Sequence, residues 1–117
     1  MEEIKVGEFI RTKEPYGDIY KVIGREQENI LLVDSLGNNR VETGYVSKHS
    51  QNIIDLIEVG DYVNGYRVDY VAPIEDGEGN KYLCVFVEDA QNSIEVHDVK
   101  TVVTREQFNS IKYIVGE

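Results

Sequence analysis

The chain has 117 residues, 22 of them acidic against 12 basic, for a net charge of −10, and 41% of it is hydrophobic. That is the size of one ordinary domain, or of two very small ones that must share a core to be stable. The hydrophobic share and the eight tyrosines exclude a disordered acidic tail, while a negative field of this size argues against direct binding of nucleic acid and favours a basic partner.

Near its start the chain reads Ile4-Lys5-Val6-Gly7-Glu8-Phe9-Ile10, and the phrase returns as Ile57-Glu58-Val59-Gly60-Asp61-Tyr62-Val63. The spacing is 53 residues, and the same spacing sets Ile30 on Leu83, Val33 on Phe86, Val41 on Ile94, Glu42 on Glu95 and Val46 on Val99. A fixed internal period marks a duplicated structural unit. The reading is two copies of one β module in a single register, 1–56 and 57–117, the second docked on the first. The charge divides unevenly between them: 10 acidic against 7 basic residues before Ile57, and 12 against 5 from there on.

In each copy an acidic residue follows the glycine and opens a strand, Glu8-Phe9-Ile10-Arg11 and Asp61-Tyr62-Val63-Asn64. The aromatic and β-branched residues there suit a pleated surface. Alternation predicts second strands over Asp18–Ile23 and Tyr66–Val71. Third strands are the apolar runs Asn29–Val33 and Lys81–Val87, each followed by a turn-rich segment, 34–39 and 88–93. Fourth strands resume at Arg40-Val41-Glu42 and Ile94-Glu95-Val96, and fifth strands at Val46-Ser47-Lys48 and 99–103. Five short strands per copy predict a mainly β fold of two tandem SH3-like small barrels packed together.

Helical signals are few. A short turn is predicted near 50–56, with Ser50 as its cap. Thr104 followed three residues later by Gln107 is a capping box, which predicts a helix over 104–111 whose Phe108 and Ile111 cover a barrel end. Cys84, the one cysteine, lies in an apolar run and reads as a buried small hydrophobe in a reducing cytosol. The start of the sequence has no signal-peptide pattern, and no apolar run approaches a membrane span. A cytoplasmic location with no membrane contact is the expectation.

The densest charge cluster is Glu75-Asp76-Gly77-Glu78-Gly79-Asn80. It reads first as a solvated hairpin tip, with the glycines serving turn geometry. The sharper reading is an acidic hook for a basic partner or a cation site, although the ligand spacing of a calcium loop is missing. His49 and His97 do not correspond at the 53-residue spacing, so a duplicated metal site is excluded. His49 reads as a surface residue and His97 as a strand residue, and no metal or other cofactor is expected. Ser47-Lys48-His49-Ser50 brings hydroxyl, amine and imidazole together in sequence, but consecutive strand residues point to opposite faces. With no nucleophile elbow, dinucleotide fingerprint or P-loop, the chain reads as a non-enzyme. Among the tyrosines, Tyr16 beside Pro15 and Tyr45 beside Gly44 read as exposed, whereas at least one of Tyr62, Tyr66 and Tyr70 belongs to a core.

The segments Ile53–Gly65 and Val102–Phe108, with the leading Ile4–Thr12, resemble small proteins encoded by phages and prophages of clostridium-like Gram-positive bacteria. The resemblance implies a setting and brings no catalytic residues. In that setting, small acidic proteins without enzymatic motifs are often inhibitors of host defence, anti-CRISPR proteins among them. The first expectation is therefore an acidic inhibitor of a host nucleic-acid-targeting complex, acting through a basic surface on a protein such as a CRISPR effector. Its binding residues are expected to be Glu75, Asp76, Glu78, Glu88 and Asp89. The alternative is a tandem SH3-like interaction or phage-assembly module, self-associating and using aromatic grooves with Tyr16 and Tyr45. A ligand-sequestering protein is the third reading.

Overall fold

The computed structural model describes residues 3–35, 37, 39–88, 93–95 and 98–111, the last of these without its side chain. The chain is mainly β and divides into two compact units, Met1–Leu56 and Ile57–Glu117. The first unit holds β1 (Phe9–Thr12), β2 (Ile19–Gln27), β3 (Ile30–Val33), β4 (Arg40–Glu42) and β5 (Val46–Ser50), with 3₁₀ turns at Thr43–Tyr45 and Ile53–Leu56. The second holds β6 (Tyr62–Val63), β7 (Tyr66–Glu75), β8 (Lys81–Val87), β9 (Ile94–Glu95), β10 (Val102–Val103) and the helix α1 (Arg105–Ile111). Each unit is one antiparallel five-stranded sheet, in the order β4-β3-β2-β1-β5 and β10-β6-β7-β8-β9. The two orders are the same order: first strand between second and fifth, fourth strand at the far edge. Neither sheet closes on itself.

The repeated phrase explains itself in this frame. Gly7 and Gly60 take φ of 98° and 93°, which an L side chain rarely adopts. They sit at the third position of a tight turn closed by Glu8 N–H to Lys5 O, 3.1 Å, and Asp61 N–H to Glu58 O, 3.1 Å. The acidic side chain then folds back and accepts the first residue's own amide: Lys5 N–H to Glu8 Oε1, 3.0 Å, and Glu58 N–H to Asp61 Oδ2, 2.7 Å. Valine, glycine and acid recur because one turn recurs. Both carboxylates are buried, so they belong to the frame.

After that turn the sheets are joined in the same way. Val22 N–H donates to Glu8 O and Val68 N–H to Asp61 O, each at 2.8 Å. Val22 then pairs with Val33, and Val68 with Val87. These pairings correct the single 53-residue register. It holds at β1, β4 and β5, where Leu31 opposes Val41 and Val85 opposes Ile94, and Ile10 opposes His49 as Val63 opposes Val102. It fails at the second and third strands: Val33 corresponds to Val87 and not to Phe86, and Ile30 to Cys84 and not to Leu83. The cause is three length changes that cancel only over the whole repeat: seven positions are lost between the first and second strands, eight are gained between the second and third, and one is lost between the third and fourth. The six-residue β1–β2 connection, residues 13–18, is replaced by Asn64-Gly65, and the lost length reappears in a longer β7–β8 hairpin. Asn64 and Gly65 both have positive φ, 53° and 87°, as a two-residue hairpin turn requires.

The longer hairpin carries β7 beyond its predicted end at Val71 to Glu75, through Pro73. Of β7, strand β6 pairs only with Tyr66 and Arg67, so among the described residues β7 from Tyr70 onward pairs on one side alone, where a proline is tolerated. A bulge interrupts both second strands at equivalent places, between Val22 and Gly24 and between Val68 and Tyr70. It bends the strand, so that one end pairs with the first strand and the other with the third.

The first unit's core is Ile4, Ile10, Val22, Leu31, Val33 and Val46, with Tyr20 and Val41 packed against it. Arg11 is buried beside it and donates to Leu56 O at 2.9 Å. In the second unit Ile57, Val63, Val68, Cys84, Val85 and Val87 are buried. The capping box forms in full: Gln107 N–H donates to Thr104 Oγ1 at 3.2 Å and Thr104 N–H to Gln107 Oε1 at 3.1 Å. Phe108 of α1 stacks on Tyr62, with ring centroids 4.5 Å apart. Tyr62 is half-buried by this contact, while Tyr66 and Tyr70 are exposed. Among the described residues no helix is long and apolar enough to cross a membrane.

Candidate functional site

A cleft of about 900 Å³ lies on the first unit. One wall is the β1–β2 connection, with Lys13, Glu14, Tyr16 and Asp18. The other is β4 and the 3₁₀ turn after it, with Arg40, Glu42, Gly44 and Tyr45. Tyr20, at the start of β2, forms part of the floor.

Local chemistry fixes both walls. Thr12 clamps the ends of the connection, since its N–H donates to Asp18 O and its hydroxyl accepts Asp18 N–H, both at 2.8 Å. Between them the segment around Pro15 and Gly17 turns back, with Tyr16 N–H donating to Lys13 O at 3.2 Å. Lys13 N–H donates to Tyr45 O at 2.8 Å, which ties this wall to the 3₁₀ turn. Tyr16 and Tyr45 are left 67% and 60% exposed, one on each wall. Two tyrosines 29 positions apart in the sequence therefore face one cleft.

Tyr20 is half-buried there. Burial first, then the charge of Asp18 and a hydrogen bond to it, push the Tyr20 hydroxyl above its ordinary value, against a smaller opposing hydrogen bond with Ser35. The phenol stays a neutral donor pointed at a carboxylate. The cleft also carries charges of both signs, and Arg40 is paired with Glu26 at 2.7 Å. Its character is aromatic and polar, suited to holding an extended chain by ring contacts and a few hydrogen bonds.

The acidic residues take different places. Asp76 is committed to the tip of the β7–β8 hairpin: Oδ1 accepts Glu78 N–H at 2.8 Å and Asn80 N–H at 2.9 Å, and Oδ2 accepts the Asn80 side-chain amide at 3.2 Å. The hydrogen bonds from Asn80 and Glu78 hold its carboxyl below the ordinary range. Glu75 and Glu78 at the same tip are exposed. Glu88 lies at the other end of β8, its N–H donating to Arg67 O at 2.9 Å. Asp89 falls outside the described residues, as do His97 and Tyr113.

His49 is not the surface residue that its sequence context indicated. It is half-buried, and its Nδ1 lies 2.7 Å from Glu8 Oε2. The ring thus completes the turn around Glu8, as Arg105 N–H does around Asp61 at 2.9 Å. Burial pushes the Glu8 carboxyl up, but the His49 hydrogen bond, the Lys5 amide and the charges of His49 and Lys5 together hold it below 4.5. Among the described residues no three of His, Cys, Asp and Glu converge as a metal site.

Comparison with known proteins finds no matching family model, no matching curated protein and no matching solved structure.

Lys13, Glu14, Asp18 and Tyr20 were not singled out by sequence reasoning. Pro15 marked Tyr16 as exposed, but Tyr20 was hidden in a strand whose alternation accounted for it. The signal that brings them together is the length difference between the two copies at this connection.

Proposed function

We propose that the protein is a non-enzymatic binding protein of two SH3-like units, the first of which holds an extended segment of a partner protein in the Tyr16–Tyr20–Tyr45 cleft. The observation that carries this reading is the convergence of those three rings from the β1–β2 connection, β2 and the 3₁₀ turn onto one cleft. The SH3-like assignment draws support from the strand order, from the second strand bent at a bulge so that it serves both halves of the sheet, and from the single 3₁₀ turn between fourth and fifth strands. Rings with wet hydroxyl ends at the edge of a small sheet suit partner recognition.

A second reading keeps the acidic surface as the contact and a host nucleic-acid-targeting complex, such as a CRISPR effector, as the target. It draws on Glu75 and Glu78, exposed at the end of the longest hairpin, and on the net charge of −10. One experiment separates the two. The protein is used as bait in lysate of a clostridium-like host, and the retained protein is then titrated with Tyr16→Ser/Tyr45→Ser and with Glu75→Lys/Glu78→Lys. Loss of affinity in the tyrosine variant, with little change on raising salt, supports the cleft. Loss confined to the charge-reversal variant, steep in salt, overturns the cleft and supports the acidic inhibitor.

A further inference from the structure

The second unit has a surface of its own, independent of the cleft. Across β7 and β8 the directly opposed pairs Tyr70 and Phe86, Ala72 and Cys84, and Ile74 and Tyr82 lie on one face of the ribbon, because opposed residues share a face. Cys84 in turn opposes Glu95 of β9, which adds that carboxylate to the same face. The other face presents Val85 and Val87, both buried, and on the first face Cys84, between the two aromatic pairs, is buried as well, while Tyr70 and Tyr82 on either side of it are exposed.

Tyr70 and Phe86 stack with centroids 4.5 Å apart and planes 12° from parallel, yet Tyr70 is 52% exposed and Tyr82 38%. The fold does not require these rings. In the first unit the equivalent pair, after the equivalent bulge, is Gly24 and Leu32. At that pair the first unit's sheet is built with no aromatic. The long hairpin of the second unit thus carries an outward aromatic strip that its twin lacks.

Among the described residues, the register positions of the strip's face bring no lysine or arginine, Lys81 being paired with Glu75 on the opposite face. Its ionised group is Glu95, hydrogen-bonded to the Tyr82 hydroxyl, with Asp76 adding its field from the hairpin tip. Burial first, then the charges of Glu95, Cys84 and Asp76, push that hydroxyl above its ordinary value. Open ring faces beside carboxylates attract a planar cation, which stacks on the ring and hydrogen-bonds the carboxylate.

We propose that the outer face of the β7–β8 ribbon docks an arginine-rich segment of a partner protein, with guanidinium groups over Tyr70 and against Glu95. The test titrates the full chain with an alternating glycine–arginine decapeptide at about 0.15 M salt. Tyr70→Ala/Phe86→Ala is expected to bind about ten-fold more weakly, and Tyr70→Phe, which keeps the ring, to bind as the wild type does. Glu95→Gln is expected to weaken binding more than Glu28→Gln, which removes the same charge from the first unit. The peptide with citrulline for arginine is expected not to bind. Equal affinity of the double alanine variant, with the circular dichroism of the wild type, overturns the proposal in favour of unspecific attraction to an acidic protein. A concentration-dependent dimer that the double alanine variant loses overturns it in favour of a self-interface. Loss of peptide binding in Tyr45→Ser with the ribbon intact assigns the peptide to the cleft, so failure here leaves the cleft reading standing or falling by its own test.

Discussion

The two units are one design executed twice, and they diverge most where the chain changes length. Both start from a Gly-acid turn, bulge the second strand at the same place and return the fifth strand to the first. The first unit puts its extra residues into the β1–β2 connection, which yields the aromatic cleft. The second reduces that connection to Asn64-Gly65 and lengthens the next hairpin, which yields the aromatic strip. What the copies share is the scaffold. What they do not share is where binding is proposed, as expected when loops on a rigid frame carry function.

The shared turn is the sharpest place to test this division. Asp61 is fully buried and accepts Glu58 N–H and Arg105 N–H, so Asp61→Ala strands two donors. A loss of about 3 kcal/mol in urea unfolding is expected. Glu8→Ala strands Lys5 N–H and frees a half-buried His49 that water can reach, so a loss of about 2 kcal/mol is expected. A loss under about 1 kcal/mol for Asp61→Ala would mean that the repeated acid is not what holds the turn.

The glycines come next. Gly7→Ala and Gly60→Ala each force an L residue to positive φ, at about 1 to 2 kcal/mol. A methyl at Gly7 meets nothing within 4 Å, and at Gly60 it makes only ordinary contact with the Arg105 side chain at 3.6 Å. Near-equal losses in thermal melts are expected, because the backbone and not the neighbourhood sets the strain. A Gly60→Ala loss much above its twin would put the weight on Arg105 instead. Smaller again is the cap: Thr104→Ala should cost about 1 kcal/mol and lower helical circular dichroism, with no counterpart in the first unit.

Much of this frame was legible in the residues. Among the described residues, alternation and turn chemistry place the strands close to where they lie, apart from the far half of β7, and Thr104 with Gln107 announces α1. The register is another matter. Val33 falls on Phe86 at constant spacing, yet pairing sets it on Val87, because the length changes cancel over the whole repeat and leave no trace in its period. Pro73 hid the far half of β7, since a proline argues against strand unless one edge is open. His49 read as exposed because nothing in its neighbourhood names Glu8, 41 positions away. The cleft was half visible: Tyr16 and Tyr45 stood out beside Pro15 and Gly44, but only the fold brings them to one place.

The smallest effect separates the two turns by acid. The Glu8 carboxyl is held below 4.5 in the folded chain, so the folded state takes up that proton at lower pH than the unfolded state does. Its contribution is therefore complete above about 4.5 and is lost as the pH falls through the lower folded value. Burial offsets part of what the hydrogen bonds and charges contribute. Glu8→Gln should flatten the decline of stability over that window and leave the neutral side of the curve parallel to the wild type. His49→Ala works in the other direction, because it removes the ring that opposes burial. The Glu8 carboxyl then moves up, and the acid loss begins at higher pH, read directly from the Glu8 carboxyl carbon in an NMR titration. An unchanged Glu8 titration in His49→Ala would show that the Lys5 amide alone holds the carboxylate, and the histidine would then be a neighbour of the turn and not a part of it.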